Sequence, residues 1–175
     1  MLSPFSKSKK GKKSAQVEMH LNKGFLLVKG KLFKQASIEF KLALDENAPV
    51  VCRALREKVE AYESQGDWEA VLSLGLVLLK AEESDCELAN RIGNAARRLH
   101  NYKQANSLYR QALRAKKNFH KAFFNLAASM GRVEKFDGEV KAVLEQFQDY
   151  RHYVLPGYLN GQTAVDDMRQ RWKNA

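Results

Sequence analysis

Small and large apolar residues recur along this chain at an interval of 34 to 35 positions. Gly24, Ala36, Phe40 and Ala43 are separated by steps of twelve, four and three, and Gly93, Ala105, Tyr109 and Ala112 repeat the same steps. Apolar positions spaced three and four apart predict amphipathic helices. Small residues where two helices must touch, with an aromatic between them, predict a helical hairpin. A hairpin copied along a chain predicts a stack.

The first hairpin is expected over 15–48. Val17, Leu21, Gly24, Phe25 and Val28 line its first helix, Gly30-Lys31 turns the chain, and Phe33, Ala36, Phe40, Ala43 and Leu44 line the second. Asn47-Ala48-Pro49 breaks the helix and restarts it. The second hairpin, 49–83, is the least faithful copy. A period of 34 puts Lys58 where the other units have glycine, with Ala61, Ala70, Leu74 and Val77 keeping the remaining steps around a Gln65-Gly66-Asp67-Trp68 turn. Its larger contact residues should hold the two helices slightly apart.

The third hairpin, 84–117, opens on a capping box of Ser84 with Glu87. Leu88, Ile92, Gly93, Ala96 and Leu99 pack against Ala105, Leu108, Tyr109, Ala112 and Leu113, across an exposed turn at His100-Asn101-Tyr102. A fourth, 118–148, carries Ala122, Phe123, Leu126, Ala127 and Met130, then Phe136, Val140, Leu144 and Phe147 with a one-residue slip. Residues 149–175 abandon the period. They hold Tyr150, Tyr153, Tyr158 and Trp172, and they predict an irregular segment with a last helix that caps the stack, binds a partner or pairs two molecules.

Composition sharpens this picture in three ways. Apolar residues at 45% and charged residues at 29% fit a folded globular chain, and three prolines leave room for long helices. The formal charge is +10, of which residues 1–14 supply +5 from five lysines and no acid. That stretch reads as a disordered arm. Residues 15–147 hold 21 basic against 17 acidic groups, a net of only +4. No apolar run approaches the roughly 20 residues needed to cross a bilayer, and no secretory leader opens the chain, so the expected location is cytoplasmic.

Cys52 and Cys86 lie one period apart, beyond disulfide reach on successive hairpins, and are expected as thiols. The four histidines are scattered, and no phosphate-binding loop or nucleophile motif appears. The sequence therefore predicts no catalytic residues, no metal site and no cofactor.

The Gly-Ala-aromatic-Ala series and the turns Gly66-Asp67-Trp68 and Asn101-Tyr102 resemble the tetratricopeptide repeat, over roughly residues 17–148. That resemblance implies a right-handed α-solenoid whose first helices line a concave groove for peptides or partner proteins. Some members of the family grip a partner's free carboxyl end with lysines and asparagines on successive first helices. Leu21 and Phe25 stand where the opening pair of that set would be needed.

The groove-facing stripe is expected to hold Phe25 in the first unit and Leu55, Arg56, Val59 and Tyr62 in the second. The third supplies Asn90, Asn94 and Arg97, and the fourth Lys121, Phe124 and Asn125. Asparagine amides suit an extended peptide backbone, and an arginine can grip a carboxylate in a two-pronged hydrogen bond. Phe25, Leu55, Val59 and Phe124 have a second reading as core. The function expected is a non-enzymatic scaffold or adaptor for a protein or peptide with apolar anchors and some acidic character. The alternative is a nucleic-acid-binding helical repeat using the basic arm. Self-association through the C-terminal segment is a further expectation.

Overall fold

The computed structural model of the chain describes residues 4–117 and 119–130. Among them lie six helices and no strand: α1 (Pro4–Lys29), α2 (Phe33–Gln65), α3 (Trp68–Ala81), α4 (Cys86–Arg98), α5 (Tyr102–Ala115) and α6 (His120–Met130). Two compact units divide the chain, Met1–Glu83 and Ser84–Ala175. In the first, α1 packs on α2 and α2 on α3; in the second, α4 packs on α5, and α6 lies against both. The all-α architecture of repeated hairpins expected from the periodicity is the one found. The second helix expected for the fourth hairpin and the whole of 149–175 lie outside the described residues.

α2 is two helical arms joined at a kink. Asn47 leaves helical geometry (φ −158°, ψ 80°) two residues before Pro49. Proline cannot donate to the preceding turn and its ring restricts the residues before it, so the chain bends there and starts again. The Asn47 side chain accepts from the Val50 amide at 3.5 Å, taking up a donor of the new first turn. The first arm, 33–46, closes the first hairpin with α1, and the second arm pairs with α3.

Three hairpin turns share one construction. Lys31 (φ 57°), Gly66 (φ 74°) and His100 (φ 58°) each take the left-handed conformation that ends a helix. The residue after each reaches back with its amide: Leu32 to Leu27 O at 2.8 Å, Asp67 to Tyr62 O at 3.0 Å, Asn101 to Ala96 O at 2.9 Å. Asp67 and Asn101 then cap the following helix, accepting from Ala70 N at 3.1 Å and Gln104 N at 3.3 Å. α4 is capped by Asp85, which accepts from Leu88 N at 2.9 Å, and not by Ser84 as the capping-box reading had it. Either residue carries a suitable oxygen, and the chain places the longer-reaching carboxylate at the cap.

These turns also reset the register of the second hairpin. The left-handed residues stand 35 and then 34 positions apart, so a constant step of 34 falls one residue out of phase in the middle unit. One residue is about 100° around a helix. The counterpart of Gly24 and Gly93 is therefore Val59, and the counterpart of Phe40 and Tyr109 is the buried Gly75. The second hairpin inverts the size pattern, with its larger side chain on the first helix and its glycine on the second. Lys58 does not sit in the contact and does not wedge the helices apart. It is exposed, with its Nζ 5.4 Å from the centre of the Phe25 ring, a cation against an aromatic face.

In the outer hairpins the glycines are required by space. A Cβ on Gly93 would stand 2.5 Å from Tyr109 Cε1, and one on Gly24 would stand 2.8 Å from Phe40 Cδ1. Phe40 and Tyr109 are fully buried with Ala36, Ala43, Ala105 and Ala112, so the ring fills the space that the small residues leave. Beside the first contact, His20 Nδ1 meets Glu39 Oε2 at 2.7 Å and Lys23 pairs with the other carboxylate oxygen. Lys23, then His20, holds the Glu39 carboxyl below its usual range against the opposing effect of burial.

Two further expectations change or hold. The lysine-rich stretch assigned to a disordered arm is the start of α1, which begins at Pro4. Lysine is a good helix former, and a helix already nucleated at Val17–Val28 extends at little cost. Cys52 and Cys86 are free thiols, one buried and one half-buried; burial pushes the Cys52 thiol above its ordinary range.

Gly93→Ala should destabilise the chain by about 1 kcal/mol. Overpacking against the Tyr109 ring costs roughly 2 kcal/mol, and the helix preference of alanine returns about 1. His100→Gly should act oppositely, gaining about 0.5–1 kcal/mol by removing a side chain from a left-handed turn. Urea unfolding of both variants checks the pair. A neutral Gly93→Ala would contradict the close helix approach.

Candidate functional site

The polar stripe expected on α4 is built by packing in the second unit. Leu88, Ala89, Ile92, Gly93, Ala95 and Ala96 are buried, which fixes the rotation of α4. Asn90, Asn94 and Arg97 then share the neighbouring face at steps of four and three. Asn90 is only 5% exposed, and its Oδ1 accepts from Asn125 Nδ2 of α6 at 2.8 Å. A buried amide oxygen without a donor costs about 1–3 kcal/mol, so this bond holds both side chains in one orientation. Asn125 keeps its own carbonyl oxygen for other partners.

Asn94 is held from the opposite helix. The Tyr109 hydroxyl of α5 donates to Asn94 Oδ1 at 2.8 Å, which leaves the Asn94 amide hydrogens as donors. Burial pushes the Tyr109 hydroxyl above its ordinary range, and the adjacent Arg97 guanidinium opposes that push by hydrogen bonding to the oxygen. Arg97 is half-exposed, and its Nε is buried with no hydrogen-bond acceptor. The result is a polar row in which the buried Asn90 orients Asn125 and Tyr109 orients Asn94, so that Asn125, Asn94 and the adjacent Arg97 are its part-exposed members.

Tyr109 is the residue that sequence reasoning missed, having been assigned to packing alone. The signal was present in the comparison of hairpins. Phe25 and Phe40 lie fifteen positions apart, and their rings meet at a tilt of 54° with centres 5.2 Å apart. Asn94 and Tyr109 have the same spacing, so the chain has a hydroxyl where the facing residue is an amide and a bare ring where it is apolar.

The remaining candidates separate. Phe25 is half-buried between Phe40 and the Lys58 cation. Leu55 and Val59 are fully buried core residues and are not available to a partner. Of their two expected readings, core is the one found, and the register explains it: the extra residue between the first and second turns swings 55 and 59 inward. Tyr62 is half-buried, and burial raises its hydroxyl, with Asp67 adding to the effect. Arg56 pairs with Glu82 and, in the corrected phase, is the true counterpart of Asn90. Glu60 and Glu63, which were not anticipated, are the counterparts of Asn94 and Arg97. In α6, Lys121 is exposed and Phe124 and Asn125 are half-buried.

Among the described residues, no three His, Cys, Asp or Glu side chains come together as metal ligands would. No described helix is long and apolar enough to cross a membrane.

No protein-family model matches the chain, and no curated protein matches it. Solved structures do. A point mutant of MamA superposes with a TM-score of 0.66 at 18% identity, over 79% of this chain and 98% of that one. YrrB, described as a TPR protein with an unusual peptide-binding site, superposes with a TM-score of 0.60 at 17% identity, over 98% of this chain and 85% of its own. The chain thus has a tetratricopeptide-like fold, an all-α stack of helical hairpins.

The Asn94–Tyr109 bond can be measured by a double-mutant cycle of Asn94→Ala and Tyr109→Phe. The expected coupling is about 1 kcal/mol, the net worth of a part-buried neutral hydrogen bond. Strict additivity of the two substitutions would contradict it.

Proposed function

We propose that the chain is a non-catalytic interaction scaffold that takes an extended peptide segment of a partner protein along the α4 face. The observation that carries this reading is the ordered donor row. Asn90 and Asn125 fix one another, Tyr109 fixes Asn94, and the Arg97 guanidinium stands beside Tyr109. An extended backbone presents carbonyl oxygens at regular intervals, and donors already held in place lose little freedom on binding it. Arg97 adds a preference for a carboxylate on the partner.

Phe124 on α6, next to Asn125, is a half-buried apolar surface that offers contact to an apolar anchor. The likeness to YrrB supports a peptide partner by analogy of fold. The scaffold reading needs no cofactor. The cytoplasmic location and the adaptor role belong to this proposal as well.

A display library of random extended dodecamers, selected on the full chain, provides the test. Selected peptides should carry an acidic residue and an apolar anchor. Asn94→Ala with Arg97→Ala should weaken them at least tenfold, as expected when two hydrogen bonds worth about 1 kcal/mol or more each are lost. Peptides that bind both forms equally would refute this site.

A further inference from the structure

Charge is spread unevenly along the chain. Residues 15–83 hold nine basic and eleven acidic groups, whereas residues 84–130 hold nine basic and two acidic. The two acids are Asp85, which caps α4, and Glu87 in its first turn. No Asp or Glu occurs from 88 to 133. α5, α6 and the connection between them therefore carry cations with no carboxylate of their own to neutralise them.

Packing sorts part of that charge onto one face of α5. Ala105, Leu108, Tyr109 and Ala112 are buried and fix the rotation of the helix. Lys103, Ser107, Arg110 and Arg114 then follow one another at steps of four, three and four on the opposite face. Lys103, Ser107 and Arg114 are exposed, while Arg110 is half-buried with contacts of its own. Beyond the helix end come Lys116 and Lys117, and Lys121 lies in the first turn of α6; all three are exposed. The Lys116 ammonium rests 5.8 Å from the centre of the Phe119 ring. Lys103, Arg114, Lys117 and Lys121 enter none of the ion pairs formed among the described residues.

The composition of this ridge selects among anionic partners. Lys103, Ser107, Arg110 and Arg114 include no apolar side chain. A stable protein interface is built around an apolar centre, and a helix that lies in a membrane surface needs an apolar face. Phosphate oxygens require neither, and Lys, Arg and Ser are among the side chains that contact them most. Lys103 and Arg114 stand eleven positions apart, about 16 Å along α5. Over that length one strand of a duplex presents roughly five phosphates, one per about 3.4 Å. A straight row of cations meets a straight row of phosphates along its whole length.

We propose that the outer face of α5, with the connection to α6, is a binding site for the sugar–phosphate backbone of a nucleic acid. Lys103, Arg114 and Lys117 neutralise phosphates, and the Ser107 hydroxyl donates to a phosphate oxygen. No base edge is read, so the binding is independent of sequence and falls steeply with salt. This activity is separate from the peptide reading of the α4 row and does not rest on it.

A labelled duplex DNA and a labelled poly(U) RNA of equal length, titrated with the full chain by fluorescence anisotropy over a series of salt concentrations, provide the test. Lys103→Gln with Arg114→Gln and Lys117→Gln should weaken binding at least tenfold at low salt. The slope of log affinity against log salt should become shallower by about two to three, at roughly 0.7–0.9 per phosphate contact. Two variants guard the interpretation. Lys7→Gln with Lys9→Gln and Lys10→Gln removes the same charge elsewhere and should weaken binding no more than threefold. Lys103→Arg with Arg114→Lys and Lys117→Arg keeps the charge and should bind as the parent does. Asn94→Ala should change nothing.

Tighter binding of the duplex assigns a double-stranded backbone and tighter binding of poly(U) a single strand; either supports the site. Failure to bind both nucleic acids would overturn the proposal. Equal weakening in the Lys7, Lys9 and Lys10 variant would do the same, since it would reduce the effect to net charge. Displacement of the nucleic acid by polyglutamate of the same charge would assign the ridge to an acidic protein. Displacement by phosphatidylserine vesicles, with vesicle binding lost in the α5 variant, would assign it to a lipid surface. Both of these results refute the nucleic-acid reading.

Discussion

Two helices can run close together only where one of them has almost no side chain, and this constraint organises the outer hairpins. Gly24 admits the Phe40 ring and Gly93 admits the Tyr109 ring, each at a distance that a methyl group would close off. Once that approach is fixed, the next residue on the first helix is aligned with the edge of the same aromatic. Phe25 meets that ring at a tilt in one hairpin and Asn94 hydrogen-bonds there in the other. The polar row of α4 therefore follows from a packing decision made by a glycine one position earlier.

The middle hairpin solves the same problem with the sizes exchanged. Val59 takes the place of the glycine and Gly75 that of the ring, and both are buried. The shape across the contact is reversed, and the buried Val71 and Leu78 stand where the outer hairpins have alanines. One consequence is electrostatic. Its outward stripe carries Arg56, Glu60 and Glu63 where the third hairpin has Asn90, Asn94 and Arg97, so neighbouring hairpins offer different charge patterns on homologous faces.

Much of this was readable from the residue pattern, for identifiable reasons. Helix pairing was legible because size complementarity forces Gly, Ala and an aromatic into fixed steps, and the break at Asn47-Ala48-Pro49 because proline lacks a donor. The register of the second hairpin was not, because neither glycine nor aromatic survives in the expected places and a one-residue turn extension leaves no compositional mark. That slip left Leu55 and Val59 with two readings, groove or core, and they are core. Composition misled at the N-terminus, where five lysines look like a solvated arm yet continue α1. The Asn94–Tyr109 bond lay in the sequence only as a contrast between hairpins, Phe with Phe in one and Asn with Tyr in the other.

The account stands on the contact between α4 and α5, and proton NMR reads that contact directly. A nuclear Overhauser effect between the Gly93 α-protons and the ring protons of Tyr109 is the result predicted for a ring seated against a bare backbone. The same cross-peak should join Gly24 to Phe40. Absence of both, in a chain whose helices are otherwise formed, would contradict the close approach and remove the basis for the donor row.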